Sequence, residues 1–375
     1  MSRGAAPELL ELATPAAPRR LMNILGPLLG LLLVVFAGGI AEYFKEGTVN
    51  YWSPQNQCMI LTQNVTVAIG AIGMTLIIIS AGIDLSAGSL NALTAVAAAW
   101  VIRQYAPPDD LARLSGSAAV WLPLAAMGVG VLVGLLAGAT NGVLVTRLKL
   151  APFIITLGMM TFARGAAEWI AHERRIDAPL SWISGFTNAN LMLFPLDVAG
   201  VRVLPEVAVR WGPLNWGGPV AVSSAVVATI VLAVATGILL GRTRFGRHIF
   251  AIGSNEATAR LCGVAVEKTK CLIYALAGAM FGLAGVTDFG RLSVGDPSTA
   301  LGKELDVIAA VVIGGGSLNG GVGSVFGALI GALLMAHLRN LCVHLELPNY
   351  VQKMVVGGVI IVAVAVDRLR QRRRD

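Results

Sequence analysis

Apolar tracts approaching the roughly 20 residues needed to cross a bilayer core of about 30 Å recur along the whole of this chain. No long polar stretch is left over for a second, soluble domain. A soluble domain is about a quarter charged, whereas this chain of 375 residues is 13% charged and 56% hydrophobic, with a mean hydropathy of +0.75. A backbone in hydrocarbon must satisfy its own polar groups, so the class that follows is an all-α polytopic membrane protein.

The apolar pattern predicts about ten transmembrane helices. They lie near Leu21–Ile40, Gln57–Ser80, Ser86–Ile102, Ala118–Val145, Pro152–Ile170, Pro219–Leu240, Cys271–Gly290, Leu305–Gly316, Val322–Leu338 and Tyr350–Val366. Between the sixth and seventh spans lies GRTRFGRHIFAIGSNEATARLCGVAVEKTK, Gly241 to Lys270, a polar and basic stretch. It carries Arg242, Arg244, Arg247, Arg260, Lys268 and Lys270 against Glu256 and Glu267, the bias that holds a loop on the cytoplasmic face. An even number of spans then puts both termini in the cytoplasm, with Arg19 and Arg20 before the first span and the tail RLRQRRRD after the last.

The resulting organisation is a cytoplasmic N-terminal segment over 1–20, a membrane domain over 21–366 and a basic tail over 367–375. The membrane domain contains an external loop over 171–218 and the cytoplasmic loop over 241–270. The start resembles a signal peptide only superficially: its apolar run is too long and no clear small-residue cleavage site follows, so the first span reads as retained. The middle of the 241–270 loop reads as one amphipathic helix, with Ala251, Ile252, Ala259, Leu261 and Val264 on an apolar side and Asn255, Glu256 and Arg260 on a polar one.

Several functions are excluded by what the pattern lacks. The net charge of +7 is sorted by side and forms no single stripe for nucleic acid. The nearest approach to a phosphate loop, GDPSTALGKE at Gly295–Glu304, has the wrong glycine spacing and a Glu after its Lys. His172, His248, His337 and His344 have neither metal spacing nor a nucleophile partner, so the chain reads as a non-enzyme without metal or cofactor. Cys58, Cys262, Cys271 and Cys342 lack metal spacing and read as small apolar fillers, although Cys58 and Cys342 share the external side and could pair if the fold joined them.

Glycine interrupts the spans twice, in SAGIDLSAGS around Asp84 and in the stretch from Gly314 to Gly321. Broken segments in both halves of a transporter point to an inverted repeat with the path between its halves. Asp84 and Ser86, and Asp306, Ser317 and Asn319, are therefore the candidate path residues. Asp84 has a second reading, as a cap of the third span, and Asp306 a second reading as an N-cap or first-turn acid. Arg164 and Glu168 are spaced to pair on one helical face. Asp288 and Arg291 read as an interface anchor, and the stripes Gly134–Gly138–Gly142 and Gly323–Gly327–Gly331 as close-packing faces within or between subunits. In the external loop, Trp182, Trp211 and Trp216 with Pro179, Pro195, Pro205 and Pro213 suggest an ordered cap that closes the outer mouth or receives a partner.

Four segments in order carry a resemblance: GMTLIIISAGIDLSAGS, NGVLVTRLKLAPFIITLGMMTFARG, TRFGRHIFAIGSNEATARLCGV and ELDVIAAVVIGGGSLNGGVGSVFGALIGALL. From about Gln57 to Arg368 the chain resembles a permease subunit of bacterial ATP-binding-cassette sugar importers, in the ribose, xylose, arabinose and galactose branch. The resemblance implies a multi-pass protein of the cell inner membrane in which two permease copies, a homodimer, form the path. Cytoplasmic ATPases would supply the energy and an external solute-binding protein would deliver a monosaccharide or related polyol. It also implies that 241–270 couples to the ATPase through Gly253, Asn255, Glu256, Ala259, Arg260 and Gly263, while Thr258 and Cys262 depart from the usual small residues. A permease for branched-chain amino acids or another small solute is the nearest alternative; an ion-coupled secondary transporter, with Asp84 or Asp306 holding the ion, is an alternative of another class.

Overall fold

The computed structural model describes residues 17–47, 49–107, 116–188, 190–192, 196–198, 201–203, 209–211, 214–216 and 221–372. Most of the N-terminal segment, Pro195, Pro205 and Pro213 of the external loop, and the last three residues of the tail lie outside them. The fold is an all-α membrane bundle. Its helices are α1 (Ala17–Glu46), α2 (Pro54–Ile79), α3 (Ala87–Tyr105), α4 (Ala118–Leu148), α5 (Pro152–Ala171), α6 (Trp182–Asn188), α7 (Ser224–Arg242), α8 (Arg244–Ser254), α9 (Glu256–Leu261), α10 (Val266–Leu292), α11 (Lys303–Ile313), α12 (Val325–His344) and α13 (Asn349–Arg372).

Six helices, α2, α4, α7, α10, α12 and the Leu25–Glu46 part of α1, are long and apolar enough to cross a membrane unaided. Helix starts follow local chemistry. Ser53 accepts from the Asn56 amide ahead of Pro54 at 3.2 Å, and Ser324 accepts from the Gly327 amide at 3.2 Å, each satisfying a donor that the first turn leaves orphaned.

α10 lies at the centre, packed on α2, α3 and α4. α2 and α10 bring Ile72, Met74, Leu76, Tyr274 and Phe281 into the core, while α1 and α4 expose Leu29, Leu33, Phe36, Leu132 and Leu136, as lipid-facing helices do. Both glycine stripes pack inside this subunit. A Cβ on Gly138 would lie 2.2 Å from the Tyr274 carbonyl oxygen and 2.9 Å from Gly278 Cα, so α4 and α10 touch backbone to backbone. Gly327 and Gly331 meet, in the same way, the carbonyls of Gly314, which caps the end of α11, and of Ala310 within it. Where lipid removes the hydrophobic drive between helices, such close approach lets dispersion hold them. Gly138→Val is expected to cost about 1–3 kcal/mol through overpacking; an unchanged thermal midpoint of the detergent-solubilised protein would show that α4 and α10 are not in contact there.

The eighth predicted span is corrected. α11 has 11 residues, a length of about 16 Å, and cannot cross a core of about 30 Å. Glycines at 314, 315 and 316 end it, and the chain continues as an irregular turn to Val325. α11 also begins deep in the bundle. Its first residue, Lys303, bonds Asp288, which in turn accepts from Thr66, twelve residues along α2 from Pro54 and so about 18 Å from its start. α3 starts at the same level, since Gly88 lies against the Ala300 carbonyl and Glu304. The two interrupted segments therefore meet, and their irregular backbone is enclosed by protein, the condition under which it is tolerated at depth.

The expected single amphipathic helix of the basic loop is two. α8 and α9 break at Asn255, whose extended backbone (φ −161°) turns the chain and whose side chain caps α9 by accepting from the Thr258 amide at 2.9 Å. Ile252 and Ala259 are buried with Val266. Leu261 is not part of that cluster: the break rotates it outward, and it is 88% exposed.

On the opposite face the short strand β1 (Ile176–Asp177) pairs with β2 (Val294–Gly295), and α6 lies across the end of α10. Ser184 bonds Ser293 at 2.7 Å and Asn188 donates to the Arg291 carbonyl at 3.1 Å, so this part of the external loop is tied down. α1 runs parallel to α12, with Lys45 donating to the His344 carbonyl at 3.2 Å, and α13 runs back from there. Both terminal helices therefore have their outer ends on the α8–α9 face. No disulfide joins Cys58 to Cys342.

Candidate functional site

The coupling candidates form one surface at the basic face. Glu256, in the first turn of α9, receives Lys270 at 2.6 Å and Arg260 at 3.4 Å, and Arg260 also pairs with Glu267. The Glu267 hydrogen bond and charge hold the Arg260 guanidinium above its ordinary pKa, so it is charged at any working pH. Gly263 adopts φ 83°, a left-handed conformation that glycine takes without steric cost; it ends α9 with the Val264 amide bonded back to the Ala259 carbonyl at 3.0 Å. Gly253 faces inward onto the end of α2. Leu261 projects outward beside this charged ring, an apolar knob in a polar rim. A cavity of about 790 Å³ separates the ring from the α4–α5 turn around Lys149.

At the other end of α11 lies a polar vestibule of about 550 Å³ between α2, α10, α11 and α12. Gln63, Asn64, Arg291, Lys303, Asp306, Arg339 and Asn340 supply its polar lining, with Met59, Ile60 and Val67 as apolar wall. Asp306 sits in the first turn of α11, buried, and pairs with Arg339 at 2.5 Å. Lys303 pairs with Asp288 at 2.8 Å. Lys303 and Asp306 of α11 thus each meet an opposite charge, Arg291 donates to the Gln63 carbonyl at 3.4 Å, and the amides of Asn64, Gln63 and Asn340 line the same space. Asn340 also exchanges amide hydrogen bonds with Asn56, at 3.1 and 3.2 Å, which fixes its orientation.

The remaining path candidates fall elsewhere. Ser317 and Asn319 lie in the glycine-rich turn after α11, Ser317 buried and Asn319 exposed. Asp84 and Ser86 form a closed node. Asp84 Oδ1 accepts from the Ser86 amide at 2.7 Å and its hydroxyl at 2.5 Å, and Asn141 of α4 donates to Ser86 Oγ at 3.0 Å and to Asp84 Oδ2 at 3.4 Å. Asp84 is 0% exposed. Thr156 of α5 receives the Leu85 amide at 3.1 Å and completes the clasp on this irregular stretch. Asp84→Asn places an amide NH2 against the Asn141 donor; the expected result is a stability loss of about 1–3 kcal/mol, with transport per assembled complex retained. A transport defect at unchanged stability would instead put Asp84 on the path.

Two readings of charged residues differ in the structure. Arg164 donates to the carbonyls of Pro297 and Thr299, the latter at 3.1 Å, instead of pairing with Glu168, because the segment before α11 dips beside α5 and leaves those carbonyls unpaired by helix. Asp288 is no interface anchor: it is 2% exposed and holds Thr66 at 2.6 Å and Lys303. Lys303, Arg339, Asn64 and Asn141 were missed as site residues. Their signal was available, since each is polar or charged within or beside an apolar span.

Residues 56–364 match the family model described as branched-chain amino acid transport system / permease component. The ribose import permease protein RbsC of Escherichia coli (strain K12) is 36% identical over 86% of this chain and 88% of its own length. The xylose transport system permease protein XylH of Haemophilus influenzae is 34% identical over 91% of this chain and 96% of its own. RbsC of Bacillus subtilis is 35% identical over 92% and 93%. No solved structure gives a significant match. The family match over most of the sequence, on a chain whose interrupted helices lie between a polar vestibule and a basic face, makes this chain a member of the branched-chain amino acid transport system / permease component family.

Proposed function

We infer that this chain is the permease subunit of an ATP-driven, binding-protein-dependent importer in the cell inner membrane, and that it passes a monosaccharide or related polyol. The observation that carries the solute class is likeness over nearly the whole length to permeases named for ribose and xylose. The vestibule is chemically suited to such a solute. Lys303 and Asp306 are each paired, and the amides of Gln63 and Asn64 with the Arg291 guanidinium offer weak, exchangeable hydrogen bonds to hydroxyls and so allow release.

The side chain of Arg339 is 50% exposed, a costly position if lipid covered it. A second copy of this chain set against the vestibule would enclose it and complete the path, with Asp306 on the wall and Ser317 and Asn319 near the exit. The α8–α9 face receives the ATPase: Leu261 enters an apolar recess of the partner while Glu256 and Arg260 set its register. ATP hydrolysis belongs to that partner. The external cap and vestibule mouth receive the loaded solute-binding protein.

The test is gentle affinity purification from native membranes followed by mass spectrometry. An ATPase and a solute-binding protein that carries a pentose or hexose are the expected companions. A lone subunit that transports under a sodium or proton gradient in proteoliposomes would overturn the reading in favour of a secondary transporter; a binding protein loaded with an amino acid would overturn the solute class alone.

A further inference from the structure

Three separate stretches of chain touch through backbone at one point beneath α11. The Gly321 amide donates to the Ile79 carbonyl, the last of α2, at 2.9 Å. Gly253, at the end of α8, presses onto both: a Cβ there would lie 1.7 Å from the Ile79 oxygen and 2.5 Å from the Gly321 nitrogen. A Cβ on Gly320 would lie 2.7 Å from Ala81 Cβ and 2.7 Å from the Gly253 oxygen, and one on Gly321 2.7 Å from Ser254 Oγ. At Gly253 the contact is backbone against backbone, so displacing α8 toward it must move the end of α2 and the glycine turn as well.

Each of those two elements leads to an interrupted segment. Ile79 runs directly into the stretch that holds the Asp84 node, and the glycine turn is continuous with α11. α11 is a rigid rod about 16 Å long, whose far end carries Lys303 and Asp306 and their two ion pairs in the vestibule.

We propose that the junction of Gly253, Gly320, Gly321 and Ile79 is the mechanical joint of this permease, and that α11 is the rod through which movement of the ATPase-facing α8 opens and closes the vestibule. The inference rests on the importer reading given above. It assigns Gly253, Gly320 and Gly321 as positioning residues that act through α11 without touching solute. Packed elements of this kind shift between discrete arrangements instead of deforming continuously, which is what makes a direct backbone contact able to carry a displacement.

The experiment is hydrogen exchange with mass spectrometry on the wild-type permease–ATPase complex, with and without a non-hydrolysable ATP analogue. ATP analogue is expected to shift exchange at 244–262, 79–86 and 314–324 together. A shift confined to 244–262 overturns the joint while leaving the importer reading intact, and failure to obtain any ATPase complex overturns the importer reading instead. Gly320→Ala, at the junction but outside the ATPase-facing residues, supplies the second measurement. The complex is expected to assemble and hydrolyse ATP with loss of solute-dependent stimulation and of uptake; normal coupled uptake by this variant overturns the joint. If the variant does not assemble, the wild-type exchange pattern decides.

Discussion

Asp288→Ala is expected to destabilise the protein by about 3–5 kcal/mol, the cost of leaving a buried charge without its partner. Asp288 is almost completely enclosed and accepts from both Thr66 and Lys303, so it joins α2, α10 and the first residue of α11. Its removal leaves the Lys303 ammonium, itself largely covered, in a low-dielectric site, and the stretch before α11 has no other ion pair at that residue to hold it. The pair is costly to break but need not be stabilising as a whole. The double variant Asp288→Ala/Lys303→Met is accordingly expected to recover most of the loss, because replacing both members of a buried pair with apolar groups is often close to neutral. Thermal unfolding in detergent, followed as loss of the monodisperse peak, reads both variants. A single variant as stable as the parent would show that α11 is not anchored by this pair.

Glu256→Arg is expected to lower ATP-driven uptake about 5- to 150-fold, the span of a typical coupling free energy of about 1–3 kcal/mol. In the parent, Glu256 neutralises Lys270 and Arg260 and presents a negative first turn at the start of α9. The reversed charge puts three cations side by side on the docking face and opposes the helix dipole. The substitution lies at an exposed position remote from the core, so insertion and yield should be those of the parent. Reconstituted complex should hydrolyse ATP without moving solute, or lose its ATPase altogether. Coupled uptake at the parental rate would remove α9 from the docking surface.

The two expectations draw on different kinds of legibility. Glu256, Asn255 and Arg260 could be placed on one short polar surface from the sequence because charge bias and cap chemistry are local properties. The helix break at Asn255 was missed because an apolar pattern is read by periodicity, and a one-residue excursion to extended backbone leaves the residue types on either side unchanged. That excursion is what turned Leu261 from an inward position to the most exposed apolar side chain of the loop. Arg164 shows the converse error: an i, i+4 acid is the default partner on an isolated helix, but the carbonyls of Pro297 and Thr299 arrive from more than a hundred residues away and are better placed.

The membrane class and nearly every helix followed from the sequence, because length and hydrophobicity of a span are set by the bilayer and need no knowledge of neighbours. Which breaks meet, which glycines touch and which charges pair were decided only in three dimensions. α11 reads as a weak span until Lys303 is seen bonded to Asp288 of α10, level with Thr66 halfway along α2, and the closing of Ser86, Asn141 and Thr156 around the Asp84 stretch is visible only in the fold. Burial of a polar group is tolerable only beside a specific partner, and in this chain those partners come from α4, α5, α10 and α12, remote in sequence and joined by packing alone.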